Sequence, residues 1–382
     1  MTLTADRPES AVSPSARPPG RLRSTVGLMT ALGAAALLLA LPPVDDGAPA
    51  GERIRTVESR WPAAQRADLA ATLPDGSAYS PVHYLDVRSS LGTAPTPDGS
   101  ALRLITRSAD GTTRELRRLP LDLIPQFTGF TVAGGQVAWA ETVADDDGLG
   151  RTEMWTAAVD AAAPARRVTA DSGDVVFFNS QYDMVIEAGV LHWAAVAPGA
   201  EVATELRSAP LAGGPVQVRT EPGPWAMSAR PWLVSAGSGQ NGPVRLHNLA
   251  TGQGLEVDAT ADEVVTCSPV WCRMLVLPGA EPARIDLVRP DGSDRRQVAG
   301  GMTAAAVIDV AVLDRFEVLS LAGAPDVAVA SQRLMLYDER DRQTLVVAEG
   351  VGMVQCRDGM LWWSTGDNET ATWHSLDLRS LT

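Results

Sequence analysis

The chain has 382 residues, of which 46 are acidic and 32 basic, and because every basic residue is arginine the formal net charge is −14. Such an acidic surface repels phosphate backbones, so nucleic acid is excluded as an expected partner. The absence of lysine excludes a phosphate-binding P-loop, while an apolar content of 45% is ample for a large core.

The N-terminal part contains one long uncharged stretch, VGLMTALGAAALLLAL at residues 26–41. Arginines precede it, so we expect residues 1–24 to form a disordered cytoplasmic lead and residues 25–44 to be a transmembrane anchor or signal segment. A helix of this length reaches about 24 Å, against about 30 Å for a bilayer core. A small-residue site at residues 48–50 leaves cleavage open. The remainder is predicted to lie outside the cytoplasmic membrane, single-pass if anchored and secreted if cleaved.

Residues 79–382 repeat one outline, in which a short strand, a tight turn and a second strand follow one another. The copies are LRLITRSADGTTRELRRL (102–119), EMWTAAVDAAAPARRVT (153–169), TELRSAPLAGGPVQVRT (204–220), PVRLHNLATGQGLEVD (243–258), PARIDLVRPDGSDRRQVA (282–299), QRLMLYDERDRQTLVVA (332–348) and ATWHSLDLRSL (371–381). Several short strands in each period of about 40 to 50 residues are typical of propeller blades. We therefore predict an all-β fold, a β-propeller of seven four-stranded blades, with six blades and an N-terminal extension as the alternative.

An alternating apolar stretch with one large side chain precedes each of these hairpins. The large residues are Tyr84, Trp139, Trp193, Trp232, Trp271, Phe316 and Trp362. Period-2 alternation bounded by Gly, Pro and Asp indicates strands packed between sheets. We interpret these side chains as core between blades rather than as a ligand platform.

The last copy ends at Thr382 without an outer strand, and an unpaired sheet edge invites aggregation. Residues 45–78 are therefore interpreted as a linker and ring-closing strand. We expect part of residues 52–79 to pair with the strand around residues 373–378. Within this region, residues 63–73 have a helix-forming composition.

Three cysteines occur in the predicted exported part. Ser268-Pro269 is predicted to be a turn between two inner strands, which places Cys267 and Cys272 on facing strands. A disulfide between them is expected in an oxidising compartment, and Cys356, two blades away, stays free. Three buried reduced thiols are the alternative.

Motifs for catalysis are few. The four histidines, His83, His192, His247 and His374, lie in or beside predicted strands, where packing is favoured over acid–base chemistry. The chain contains neither GxSxG nor HExxH, and the glycines at residues 236–242 indicate a flexible hairpin rather than a phosphate loop. We predict no catalytic, cofactor-binding or metal-binding residue.

Acidic residues raise two further possibilities. Three consecutive aspartates at residues 145–147 could offer oxygens to Ca²⁺, but they point in different directions, so a solvated hairpin insertion is favoured. Two other groups flank predicted strands and could line a central channel. They are Asp183 with Glu187, and Asp258 with Asp262 and Glu263. A glycosidase-like carboxylate pair in that channel is an alternative reading.

The Asp-Gly turns in TPDGSALRLI (96–105), ITRSADGTTRELRRL (105–119) and VRPDGSDRRQV (288–298) resemble the Pro-Asp-Gly hairpins of TolB-like propeller repeats. The resemblance covers residues 79–382 as architecture. It implies an extracytoplasmic binding scaffold. Similar blades also gate hydrolases of the prolyl oligopeptidase type, which carry a separate α/β-hydrolase domain for which this chain has no room.

Two functional classes follow. The favoured one is a monomeric, non-catalytic envelope scaffold, attached to the membrane through residues 25–44, whose propeller binds an envelope protein, peptide or glycan. The alternative is a propeller enzyme that acts on envelope glycan with carboxylates in the central channel.

Overall fold

The structure is a computed structural model that describes residues 55–382 except 145–149, 162, 237–241, 278, 280–282, 324–331 and 368–369. The described part is all-β, as predicted. Its helices are α1 (Val57–Arg60) and two 3₁₀ turns, Leu121–Leu123 and Leu378–Ser380. No helix in these described residues is long and apolar enough to span a bilayer, and the stretch at residues 25–44 lies outside them.

A short strand, β1 (Arg66–Ala70), is followed by a series of antiparallel sheets. The first sheet contains β2 (Ser80–Tyr84), β3 (Ser90–Pro95), β4 (Ala101–Arg107) and β5 (Thr113–Pro120). The second contains β6 (Gln126–Ala133), β7 (Gln136–Ala144), β8 (Gly150–Ala158) and β9 (Arg166–Thr169). The third contains β10 (Asp174–Val175), β11 (Met184–Glu187), β12 (Val190–Val196), β13 (Ala203–Pro210) and β14 (Gln217–Pro222).

The later sheets continue the pattern. The fourth contains β15 (Trp225–Met227), β16 (Trp232–Ser235), β17 (Val244–Asn248) and β18 (Gly254–Val257). The fifth contains β19 (Glu263–Cys267), β20 (Cys272–Val276), β21 (Arg284–Val288) and β22 (Arg296–Gly300). The sixth contains β23 (Thr303–Ala305), β24 (Phe316–Ala322), β25 (Gln332–Asp338), β26 (Gln343–Arg357), β27 (Met360–Thr365) and β28 (Thr372–Asp377), with β1 at its far edge.

The Asp-Gly hairpin turns predicted from the sequence are present in the structure. Gly111 and Gly292 adopt φ of +84° and +80°, a region that glycine enters without a steric penalty. In each turn the preceding aspartate accepts a hydrogen bond from a backbone N–H two residues later, Asp110 from Thr112 and Asp291 from Ser293, both at 2.9 Å. These side-chain bonds stabilise the turn and fix the register of the outer strands.

Apolar clusters connect each sheet to its neighbour. Leu104 of the first sheet packs in one cluster with Trp139 of the second, and similar clusters join the following sheets. The last strands return to the first sheet, because Tyr84 of β2 packs against Trp362 of β27 with ring centroids 5.4 Å apart. The sheets therefore form a closed ring, which is the arrangement of a β-propeller.

The large side chains singled out in the sequence mostly form this core. Six of the seven are buried, but Trp232 is only half-buried and lines a surface pocket between the third and fourth sheets. Trp232 still packs against the apolar cluster between the fourth and fifth sheets, so the interpretation as core holds for it in part.

The N-terminal segment closes the ring. Strand β1 pairs antiparallel with β28, and Leu69 lies opposite Trp373. The pairing lies within the ranges expected from the sequence, but residues 63–73 contain this strand instead of a helix. Pairing with an exposed sheet edge outweighs the weak helix propensity of an alanine-rich stretch. Upstream, Trp61 packs edge-on against Phe316 at 6.2 Å between ring centroids.

Candidate functional site

Two segments, one in the third sheet and one in the sixth, leave their sheets between strands. In the third sheet, β10 and β11 both pair with β12, and residues 176–183, here called the sheet-three segment, leave the sheet between them. In the sixth sheet, residues 306–315, the sheet-six segment, leave between β23 and β24. The two segments meet, because the Ser180 hydroxyl donates to Asp309 Oδ1 at 2.6 Å and the Gln181 N–H donates to Asp309 Oδ2 at 3.1 Å.

Asp183 holds the turn of the sheet-three segment. Its two carboxylate oxygens accept the backbone N–H groups of Phe178 and Ser180, each at 3.0 Å. Burial raises the pKa of Asp183 to about 6, although these bonds and the guanidinium of Arg357 act in the opposite direction. Burial likewise raises the pKa of Asp309. The segment therefore carries a desolvated carboxyl that titrates near neutral pH.

Arg357 connects the same segment to the end of β26. Its guanidinium donates to the Ser180 carbonyl at 2.9 Å and to Asn179 Oδ1 at 2.7 Å. The side chain is almost fully buried, and burial lowers its pKa from the ordinary value. Among the described residues no carboxylate lies within ion-pair distance of this guanidinium.

His83 on β2 adds a neutral group beside this cluster. Burial, followed by the nearby charge of Arg357, lowers the pKa of His83 to about 4, so the ring is neutral at pH 7. Its Nε2 lies 3.7 Å from Asp358 Oδ2, and its buried Nδ1 has no hydrogen-bond partner. The Asp358 carboxylate is thus too distant for a hydrogen bond to this ring.

The sheet-six segment is held by a buried ion pair. Arg273 pairs with Glu317 and also donates to the Asp309 carbonyl at 2.9 Å, while Glu317 accepts the Ala311 N–H at 2.9 Å. Leu313 has a φ of +57°, a left-handed conformation that costs free energy for a non-glycine residue. The ion pair thus fixes a strained backbone that places Asp309 in the channel.

The sheet-three segment divides the channel into two pockets. One, the aromatic pocket, has a volume of about 440 Å³, and the other, the carboxylate pocket, about 220 Å³. The aromatic pocket is lined by Phe127, Phe130, Phe177, Asn179, Met353, Gln355, Arg357 and Trp362, among others. The carboxylate pocket is lined by Phe178, Ser180, Met227, Val234, Val244, Val265, Ile308 and Asp309, among others. Asp183 lines both pockets, so this residue lies at the division between them.

The cysteines occupy the positions expected from the sequence. Cys267 ends β19 and Cys272 begins β20, with Ser268-Pro269 in the turn, and the two sulfurs lie at bonding distance, 2.02 Å. Cys356 is a buried thiol on β26, and burial raises its pKa well above the ordinary value. Its low thiolate content makes it a packing residue rather than a nucleophile.

The four histidines all lie within strands. His374 bonds Thr365 and Asp68, each at 2.7 Å, and stacks on Trp363, so its place is structural. His192 lines the surface pocket beside Trp232, and His247 packs near Trp225. Only His83 adjoins the channel cluster.

Of the acidic residues proposed for the channel, only Asp183 is there. Glu187 pairs with Arg230 at 2.9 Å, and Glu263 pairs with Arg295 at 2.6 Å. Asp258 and Asp262 are exposed in the connection between β18 and β19. The prediction fails for these four because the two glutamates are held in ion pairs with arginines and the two aspartates lie in an exposed connection. The aspartates at residues 145–147 and the glycines at residues 237–241 lie outside the described residues.

Sequence reasoning missed Arg357, Asp309 and Ser180. Their signal is weak: polar residues interrupt the inner strand of the third sheet in the stretch VVFFNSQYDMV. Among the described residues no group of three or more His, Cys, Asp or Glu could hold a metal ion.

No protein-family model matches the chain, and comparison with curated proteins gave no match. Solved structures do match. TolB from Acinetobacter baumannii is 16% identical with a TM-score of 0.36, over 58% of this chain and 54% of that one. The chain resembles TolB-type propellers. The β-propeller domain of the Trilobed protease from Pyrococcus furiosus is 12% identical with a TM-score of 0.40, over 64% of this chain and 78% of that one.

A third similar structure is a puromycin-hydrolyzing peptidase from Mycobacterium tuberculosis. It is 12% identical with a TM-score of 0.49, over 82% of this chain and 54% of the peptidase. The chain thus spans about half the length of this peptidase and of TolB. At these identities the likeness concerns the fold alone.

Proposed function

We propose that this protein is a non-catalytic, extracytoplasmic binding protein whose propeller holds an envelope ligand, a protein, peptide or glycan, in the aromatic pocket. The composition of that pocket carries the proposal. Phe127, Phe130 and Phe177 supply apolar walls, while Arg357 and Gln355 supply hydrogen-bond donors within the same volume of about 440 Å³. Binding sites typically combine such apolar walls with a few convergent polar groups.

The proposed propeller has seven blades. In support of this count, β26 pairs with β25 through its first half and with β27 through its second half, with a register break between Val351 and Val354. Division there leaves two four-stranded units, the second completed by β1. The apolar clusters also fall at seven successive interfaces on this division.

Hydrogen bonding in the channel favours binding over catalysis. Both oxygens of Asp183 and both of Asp309 accept hydrogen bonds that hold the two segments in place. The alternative, an enzyme that acts on envelope glycan with these carboxylates, therefore has less support.

The proposal places the protein at the cell membrane. Residues 25–44 would anchor it with the N-terminus in the cytoplasm, and the propeller would act as a monomer outside. The arginine-rich lead and the uncharged stretch support this orientation.

Site-specific photo-crosslinking in living cells tests the binding site. A photoreactive amino acid would replace Met353, which lines the aromatic pocket and is 53% exposed, or Val218 on the outer strand β14, which is 47% exposed. We expect a defined adduct with an envelope component from position 353 and none from position 218. Equal adducts from both positions, or none from 353, would contradict the proposal. Release of soluble fragments from purified envelope glycan, abolished by Asp183→Asn, would instead support the enzyme.

A further inference from the structure

The carboxylate pocket has apolar walls suited to an unbranched hydrocarbon chain. Met227, Val234 and Val244 of the fourth sheet, Val265 of the fifth and Ile308 of the sheet-six segment surround a volume of about 220 Å³. Each methylene of a ligand that is buried against such walls favours binding. A stem of four or five carbons therefore gains affinity from the walls alone.

Two carboxylates lie in the same pocket without a cation. Asp183 and Asp309 both line it, and among the described residues neither has an arginine or histidine within ion-pair distance. Each of their four oxygens accepts one hydrogen bond, from Phe178, Ser180 or Gln181. Because a carboxylate oxygen has two lone pairs, each retains capacity for one more donor.

The arginines near these two carboxylates interact with other groups. Arg357 lines the aromatic pocket on the other side of the sheet-three segment and donates to Ser180 and Asn179. Arg273 pairs with Glu317. Neither guanidinium lines the carboxylate pocket, so among the described residues the two carboxylates meet no cation inside it.

We propose that the carboxylate pocket binds a primary ammonium group carried on an unbranched aliphatic stem, as in an alkylamine or a lysine side chain. The inference rests on the proposed function and names a ligand group for the second half of the channel. An ammonium has three donors, which two carboxylates and a pocket hydroxyl can accept. A guanidinium has five donors in a rigid fork, and some of them would be left unpaired against the valine walls.

Calorimetric titration of the full-length chain with matched small ligands tests the assignment. Pentylamine and pentan-1-ol share a stem and differ in charge, so we expect the amine to bind at least about tenfold more tightly, the difference that one charged contact of 1.4 kcal/mol makes. A lysine derivative blocked at both backbone ends tests a peptide source of the same group. If only the free amine binds, the source is a small molecule. Equal binding of amine and alcohol, or no amine binding at millimolar concentration, overturns the proposal.

Two variants locate the site. Asp309→Asn removes one carboxylate and should weaken amine binding at least about tenfold, whereas Asp314→Asn lies in the same segment but outside the pocket and should bind as the unmodified protein does. Ala226→Leu should also abolish binding, because it fills the pocket from β15 without changing a charge. Amine binding that survives both Asp309→Asn and Ala226→Leu contradicts the assignment.

The two proposals fail separately. Crosslinking from Met353 reports on the aromatic pocket, so it can succeed while the amine fails to bind, which would leave the binding function with a different ligand class.

Discussion

At the residue scale, Arg357 shows how the channel balances a buried charge without direct contact. Its guanidinium bonds only neutral acceptors, Ser180 and Asn179, while Asp183, Asp309 and Asp358 act on it from beyond ion-pair distance. A buried charge without a compensating field would be strongly unfavourable. The carboxylates therefore help to compensate the buried charge of Arg357.

Asp183 should make stability depend on pH. Its pKa is raised from 3.8 to about 6, so the folded state holds the proton more tightly than the unfolded chain. The resulting stabilisation is complete below about pH 4 and is lost as the pH rises through about 6, and it amounts to about 3 kcal/mol. We expect the unfolding free energy of the unmodified protein to fall relative to Asp183→Asn over this range.

Urea unfolding at several pH values measures that difference. The pKa values of Asp309 and Asp358 are also raised, so their contributions to stability fall with rising pH, as that of Asp183 does. The pKa of His83 is lowered, so its contribution to stability rises with pH. All three remain in both proteins, so their contributions cancel in the comparison. Asp262 is exposed, so the unfolding free energy of the control variant Asp262→Asn should change with pH as that of the unmodified protein does. Parallel curves for Asp183→Asn would refute the prediction.

The disulfide is a second prediction at this scale. Peptide mapping without reduction should recover Cys267 linked to Cys272 and Cys356 as a free thiol. The two linked positions are only five apart, so the loop-closure contribution to stability is small, about 2 kcal/mol. Reduction should therefore lower the melting temperature modestly without unfolding the chain. A peptide that joins Cys356 to either partner would show that the pairing is wrong.

At the element scale, the sequence predicted the hairpins and the ring-closing pair of strands but not the path of the sheet-three segment. Hairpins such as β4–β5 follow from alternation and an Asp-Gly turn, both contained within about 20 residues. The sheet-three segment could not be derived in this way. Its path depends on Asp309 and Arg357, which lie more than 100 positions away and reach Ser180 only when the ring has closed.

Removal of the ring-closing strand should leave an unpaired sheet edge that promotes aggregation. A chain that begins at Ser80 lacks β1, so β28 is paired only on its β27 side and Trp373 loses its hydrogen bond to the Tyr79 carbonyl. We expect this chain to aggregate in size-exclusion chromatography with light scattering. A chain that begins at Asp45 retains β1 and should be monomeric. Monomeric behaviour of the shorter chain with unchanged melting would show that β1 is dispensable.

At the scale of the whole molecule, the predicted orientation can be tested with a reporter. An enzyme that is active only after export, fused after Thr382, should be active, because the arginine-rich lead favours a cytoplasmic N-terminus. Activity of a cytoplasm-dependent reporter at the same position would contradict the orientation. Sequencing of the mature N-terminus separates the two outcomes for residues 25–44, because a start at Gly51 means cleavage.

Ring closure by the first strand also imposes an order on folding. Asp68 of β1 forms a hydrogen bond with His374 of β28, 306 positions later in the chain. The pairing of β1 with β28 therefore cannot form until nearly the whole chain has left the ribosome. Contacts of such long sequence separation slow folding because a large loop must close before they form. Until then Leu69 and Trp373 are unpaired, and the open sheet edge of the nascent chain can pair with a neighbouring molecule.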